Sequence, residues 1–264
     1  MEPQFYKGNR DAFMEKLAPG SLALFFSGVP VRKTADEDYA YFANRNFVYL
    51  TGMEQKDTIL MLEKDASGYR ETLFILPPNL IEERWTGARM KPEEIEAASM
   101  ISNFAYRDTF EEELKKVLAS GRIEKVYLDI DRMDGQVVVS GADSMETFLK
   151  QEYPNLLIEN SLPILKKLRL IKKPCEIRAM EKAQEITKAG ILAMMTHSKP
   201  GMYEYQYKAE YDYALAQHGV LEAGFPSIIS AGKNNFCIHY YGYRGQAMDG
   251  DIVLNDVGVR WDNE

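Results

Sequence analysis

The stretch that decides the reading is Ser230 to Gly258, SAGKNNFCIHYYGYRGQAMDGDIVLNDVG. It sets two polar groups in apolar, strand-like runs: His239 in FCIHYY and Asp256 in DIVLNDVG, with a turn-rich segment, Gly242 to Gly250, between them. An Asp that closes a run of Ile252, Val253 and Leu254 is expected where burial is expensive for a charge. Such a carboxylate is normally paired or bound to a metal. His239 meets the same problem in milder form. Two strands joined by a loop would bring both side chains to one site. The plainer reading is that Asp256 is a turn or cap residue and His239 a satisfied core side chain.

Outward from this stretch, the second half of the chain reads as helical. Pro174 opens a long helix in which Ile177, Met180, Ala183, Ile186 and Ile191 recur at helical spacing, and Met194 and Met195 read as core filler. Pro200-Gly201 breaks it, and a second helix runs from Met202 to His218 with Gly219 as its stop. Glu204 and Glu210 lie about 240° apart on a helix wheel and are expected on the surface. Phe225-Pro226 precedes a strand over Ser227 to Ser230.

The first 155 residues mix strands and helices, the pattern of an α/β domain. A helix is expected over Asn9 to Leu17, with Asn9 as its N-cap. Strands are expected over Ser21–Ser27, Phe47–Leu50, Thr58–Leu62, Thr72–Leu76 and Val126–Ile130. Further helices are expected from Pro92 to Met100, from a Thr109/Glu112 capping box to Leu118, and from Asp143 to Gln151. Pro154 to Pro163 is the expected join, so the domains read as 1–160 and 161–264.

Composition bounds the function. The chain has 264 residues, 45% hydrophobic and 27% charged, which fits a globular protein of two ordinary domains. A net charge of -8 argues against a nucleic-acid partner. Cys175 and Cys237 make no C-x-x-C pair, and His197, His218 and His239 make no H-x-x-x-H pair. With no signal-like start and no long apolar run, no membrane association and a cytoplasmic location are expected.

The decisive stretch also resembles the catalytic centre of aminopeptidase P and prolidase, metal-dependent Xaa-Pro peptidases of the pita-bread fold. Gly232, Asn234, His239, Tyr240, Gly250, Asp251, Val253, Leu254, Asp256 and Gly258 carry the match. LRLIKKPCEI is similar to the family's entry into that domain. In the first half, Asn46, Phe47, Tyr49, Leu50, Thr51 and Gly52 match an N-terminal-domain signature, and Glu83, Trp85, Gly87 and Arg89 match a second. The resemblance implies a creatinase-type N-terminal α/β domain followed by the first half of a pita-bread domain. It implies that Asp256 is a metal ligand for a divalent pair, Mn²⁺ by the hardness of carboxylate donors, and that His239 is the catalytic, substrate-contacting group. Phe225 falls where the family places an aromatic wall of the substrate pocket. Trp85 falls where some relatives reach a neighbouring subunit's active site, and it reads equally well as a packing residue in a loop. Proline-containing peptides are the implied substrates, and a homodimer or higher oligomer the implied assembly.

The departure from the family is the ligand set. Asp262 stands too close to Asp256 to match the family's second Asp, and no later His or Glu pair follows. The expectation is therefore a part of a longer enzyme, inactive alone. The alternatives are a non-catalytic pseudo-peptidase scaffold that binds peptides and a creatinase-like hydrolase that works without metal.

Overall fold

Ser21–Phe26 (β1) is buried on both of its faces over its first five residues, which makes it the centre of the first unit. The structure is a computed structural model and describes residues 1–132, 134–135 and 139–263. The chain divides into two compact units, Met1–Ile171 and Lys172–Glu264.

In the first unit, Pro3–Glu15 (α1) precedes β1. A small hairpin, Arg32–Thr34 (β2) and Glu37–Asp38 (β3), leads to Arg45–Thr51 (α2). Then come Ile59–Asp65 (β4), Gly68–Ile75 (β5), Leu80–Thr86 (α3), Pro92–Ser99 (α4) and Phe104–Tyr106 (β6). Phe110–Ala119 (α5), Lys125–Leu128 (β7), Gly141–Glu152 (α6), Leu157–Asn160 (β8) and Leu162–Leu170 (α7) complete it. The mixed sheet has the order β6-β5-β4-β1-β7-β8. β1 pairs antiparallel with β4 and parallel with β7, in registers Leu24↔Met61 and Leu24↔Leu128. Alternation along β1 sends Leu22 and Leu24 to a core shared with Phe110, Leu114 and Leu118 of α5 and Ala142 and Leu149 of α6. Phe25 points the other way and meets Phe13 of α1 edge-to-face at 5.3 Å. Helices therefore cover both faces of the sheet.

Three expectations are corrected here. Residues 47–50 are helical, not a strand. The side chain of Asn44 accepts from Asn46 N and Phe47 N at 2.9 Å, and Gly52 closes the helix at φ 74°. Gly52 also lets the ring of Tyr6 pass where a Cβ would sit 2.4 Å from it. Asn9 is no N-cap: it lies mid-helix, buried, donating to Tyr49 O at 2.8 Å. Thr109 makes no side-chain cap; its hydroxyl donates to Tyr106 O instead. The segment read as the join holds β8 and the start of α7, and α7 packs with the first unit through buried Leu165.

In the second unit, Pro174–His197 (α8), Met202–Tyr203 (β9) and Glu204–Gln217 (α9) precede Ile228–Ala231 (β10), Gln246–Ala247 (β11) and Val253–Asp256 (β12). β10 pairs antiparallel with β12, and β9 with β11. Ile186, Met194, Met202, Tyr207, Tyr211, Leu215, Ile229 and Ala231 form the core. Gly190 lets α8 approach α9, since a Cβ there would lie 2.4 Å from the Tyr211 ring. Of the periodic set expected along α8, Ala183 and Ile186 are buried while Ile177 and Met180 are exposed, and Met195 is exposed although Met194 is not. No helix among the described residues is long and apolar enough to cross a membrane.

Candidate functional site

The β10–β12 ladder sets the local geometry. Asp256 is the last residue of β12 and pairs with Ile228, the first of β10. The expectation that burial makes its charge expensive is corrected: Asp256 is exposed, and its carboxylate meets no hydrogen-bond or ion-pair partner among the described residues. Phe225 comes to the same end of the ladder. Gly224 N donates to Gly258 O at 2.9 Å, and the Phe225 ring covers Gly258, where a Cβ would sit 2.7 Å from it. The ring remains 42% exposed.

His239 is not on a strand. A 3₁₀ turn, Gly232–Phe236, follows β10, and His239 lies in the turn beyond it, exposed. Its ring faces that of Tyr241 at 6.3 Å and 26°. The excursion leaves the ladder at Ala231, three rungs from Asp256, about 10 Å at the strand rise. Strand pairing thus unites Asp256 with Phe225 and does not carry His239 to them. Neither polar group sits on the buried apolar face that the hydrophobic runs imply. Ile238 and Ile252 are themselves exposed, so the hydrophobicity of these segments is not satisfied within the unit.

Glu204, expected on the surface, is buried, at 0% exposure. As the first residue of α9 it points back under the His239 excursion. Its Oε1 accepts from Ala231 N and Asn234 Nδ2, both at 2.8 Å, and its Oε2 accepts from Gly245 N at 2.7 Å. Burial alone pushes its pKa up; the hydrogen bonds from Asn234, Tyr240, Gly245 and Ala231 outweigh that and hold it below 4.5. The wheel argument separating Glu204 from Glu210 holds, since Glu210 instead pairs with His197 at 2.6 Å on the outside. The wheel is silent on where a first-turn carboxylate points. An acid at the first turn after Pro200-Gly201 was the available signal.

Trp85 lies on α3, not in a loop, and is 84% exposed, so the first unit does not use its ring for packing. α3 is capped by Asn79, whose side chain accepts from Ile81 N and Glu82 N. Arg89 anchors it from below by pairing with Glu82 and donating to Pro77 O.

A divalent metal pair needs several carboxylate or imidazole donors converging on one point. Among the described residues no three His, Cys, Asp or Glu side chains do so. Asp256 is one donor, and Glu204 has spent its oxygens on N–H groups. These residues alone do not fit a metal pair.

Residues 6–127 match the aminopeptidase P N-terminal domain, and residues 178–264 match metallopeptidase family M24. The chain is 28% identical over 263 residues to the Xaa-Pro aminopeptidase of Escherichia coli, covering 98% of this chain and 59% of that protein. A Bacillus anthracis structure carrying a provisional aminopeptidase P name superposes with a TM-score of 0.95 at 31% identity, over 99% of this chain and 62% of that one. Aminopeptidase P from E. coli with the inhibitor Pro-Leu gives 0.88 at 27%, over 99% and 60%. The chain thus spans about three fifths of the length of these relatives. The fold is an aminopeptidase-type N-terminal α/β domain followed by part of a pita-bread domain, and the chain belongs to the aminopeptidase P family.

Proposed function

We propose that these residues serve a metal-dependent Xaa-Pro peptidase, of aminopeptidase P or prolidase type, which hydrolyses the peptide bond before proline. The observation that carries the reading is the likeness of nearly the whole chain to an aminopeptidase P bound to the inhibitor Pro-Leu. The exposed pair Asp256 and Phe225 at one end of β10–β12 supports it, because a free carboxylate beside an aromatic wall suits a site for proline peptides.

The bond before proline is a tertiary amide, so its hydrolysis needs an activated water and stabilisation of the developing oxyanion. In the reading proposed, a divalent pair, Mn²⁺ by donor hardness, would supply the first of these once donors beyond Asp256 complete its ligand set. Asp256 offers one carboxylate to it. His239 offers an imidazole N–H to the substrate, and Phe225 walls the pocket. Trp85, exposed on α3, serves the active site of a neighbouring subunit in a homodimer or larger assembly. The location proposed is cytoplasmic. With Asp256 as the one ligand of the family motif identified among the described residues, the 264 residues alone are proposed to be inactive.

The test uses the enzyme that carries these residues, supplied with Mn²⁺ and assayed on peptides with and without proline in second position. The expected result is cleavage before proline only, abolished by Asp256→Asn and lowered at least about a hundredfold by His239→Ala. Equal turnover by Asp256→Asn would refute the assignment. Absence of turnover by the native enzyme would favour a peptide-binding scaffold, and turnover that survives chelation a creatinase-like hydrolase.

A further inference from the structure

The excursion from Gly232 to Gly245 carries His239, yet it has no strand pairing of its own. It is closed at both ends by one side chain. Glu204 takes Ala231 N and Asn234 Nδ2 at the start and Gly245 N at the finish. The backbone of Glu204 adds a bond from its own N–H to Gly245 O at 2.9 Å. Tyr240, the neighbour of His239, is held in the same network: its hydroxyl accepts from Asn234 Nδ2 at 3.0 Å and from Arg244 N at 3.3 Å, and Asn234 Nδ2 links it to Glu204 Oε1.

The fit is close. A Cβ on Gly245 would lie 2.5 Å from Glu204 Oε1 and 2.4 Å from Asn234 Nδ2, so only glycine permits this approach. Every group facing the carboxylate is a donor. An amide in its place would turn an NH₂ toward an N–H or O–H that also needs an acceptor. Shape alone therefore does not substitute for the charge.

We infer that Glu204 is a positioning residue, a buried carboxylate that gathers the two ends of the 232–245 excursion and the Tyr240 hydroxyl and thereby sets the orientation of His239. It touches no substrate. The functional half of this inference rests on the role of His239 proposed above; the structural half does not.

The test compares Glu204→Gln, Gly245→Ala and, as a control on the same helix, Glu210→Gln. Amide hydrogen exchange and the imidazole NMR signals are followed in the 264-residue chain, which has three histidines. Losing charge-assisted bonds predicts that both Glu204→Gln and Gly245→Ala speed exchange over 232–245 about tenfold or more and move the His239 signals. α8 and α9 should keep their protection, and the control should do neither. In the enzyme that carries these residues, the same two variants should lower kcat at least about tenfold with KM within about twofold, a loss confined to the transition state. Unchanged exchange over 232–245 overturns the inference, as does loss of protection spread evenly over α8 and α9, which would make Glu204 a general anchor. If the excursion loosens as expected while native turnover is absent, the peptidase reading fails and the structural half stands. If native turnover is present and the loosened variants keep full kcat, the link to His239 fails.

Discussion

Replacing Glu71 by alanine should unsettle the first unit more than any single apolar truncation on its surface, because of what it leaves behind. Arg10 is 0% exposed. Its guanidinium donates to both oxygens of Glu71, from Nε at 2.6 Å and from NH2 at 3.2 Å. It also donates to Leu50 O at 2.8 Å and Ser99 O at 2.9 Å. Those carbonyls lie in the last turns of α2 and α4, so one cation caps two helix C-termini and binds α1 to β5. Without Glu71 the cation stays buried with two carbonyl acceptors and no counter-charge. Breaking a buried pair in this way costs about 3–5 kcal/mol. The side chain of Glu71 is 16% exposed, so some water reaches the gap and the lower end, about 3 kcal/mol, is expected. The assay is a urea titration followed by far-UV circular dichroism, with exchange at the β1 amides identifying the unit that opens first. Arg10→Met combined with Glu71→Leu should cost less than the sum of the two single changes, since the stranded charge is gone. A Glu71→Ala cost below about 1 kcal/mol would refute the account of Arg10 as a buried hub.

In the second unit, Gly190→Ala should lower Tm although alanine is the better helix former by about 1 kcal/mol. The new methyl would meet the buried Tyr211 ring at 2.4–2.5 Å, and overpacking of that kind costs about 1–3 kcal/mol; a rise in Tm would show that the ring gives way freely. Acid should act through Glu204, whose folded pKa is held below its ordinary 4.5. Its contribution is complete above that value and is lost as pH falls through the lower folded pKa. The difference in thermal stability between the native chain and Glu204→Gln should hold steady above about pH 5 and narrow below about pH 4.5; a difference that widens in acid would contradict the direction of the shift.

The units differ in how far their sequences announce them. β1 was legible because five successive buried residues leave no other element that fits. α8 was legible because its period runs for 24 residues from a proline at its first turn. Residues 47–50 misled because a short apolar run is the same in a strand and in a buried helix. The deciding atoms, the Asn44 side chain and the left-handed Gly52, lie outside the run. At the candidate site, resemblance singles out Asp256 and His239 as proposed site residues but says nothing of their surroundings. Asp256 and His239 emerge exposed, whereas Glu204, expected on the surface, is buried. Its acceptor role depends on Ala231, Asn234 and Gly245, which stand 27 to 41 positions away. No local pattern encodes partners at that separation.

The placement of the two tryptophans has a spectroscopic consequence. Trp85 on α3 already stands in water, so its emission changes little when the first unit unfolds. Trp261 packs, half-buried, against the core of the second unit. Intrinsic fluorescence is thus a nearly selective optical probe of residues 172–264. A soluble quencher that silences Trp85 in the native state would leave Trp261 as the remaining emitter, readable without any label.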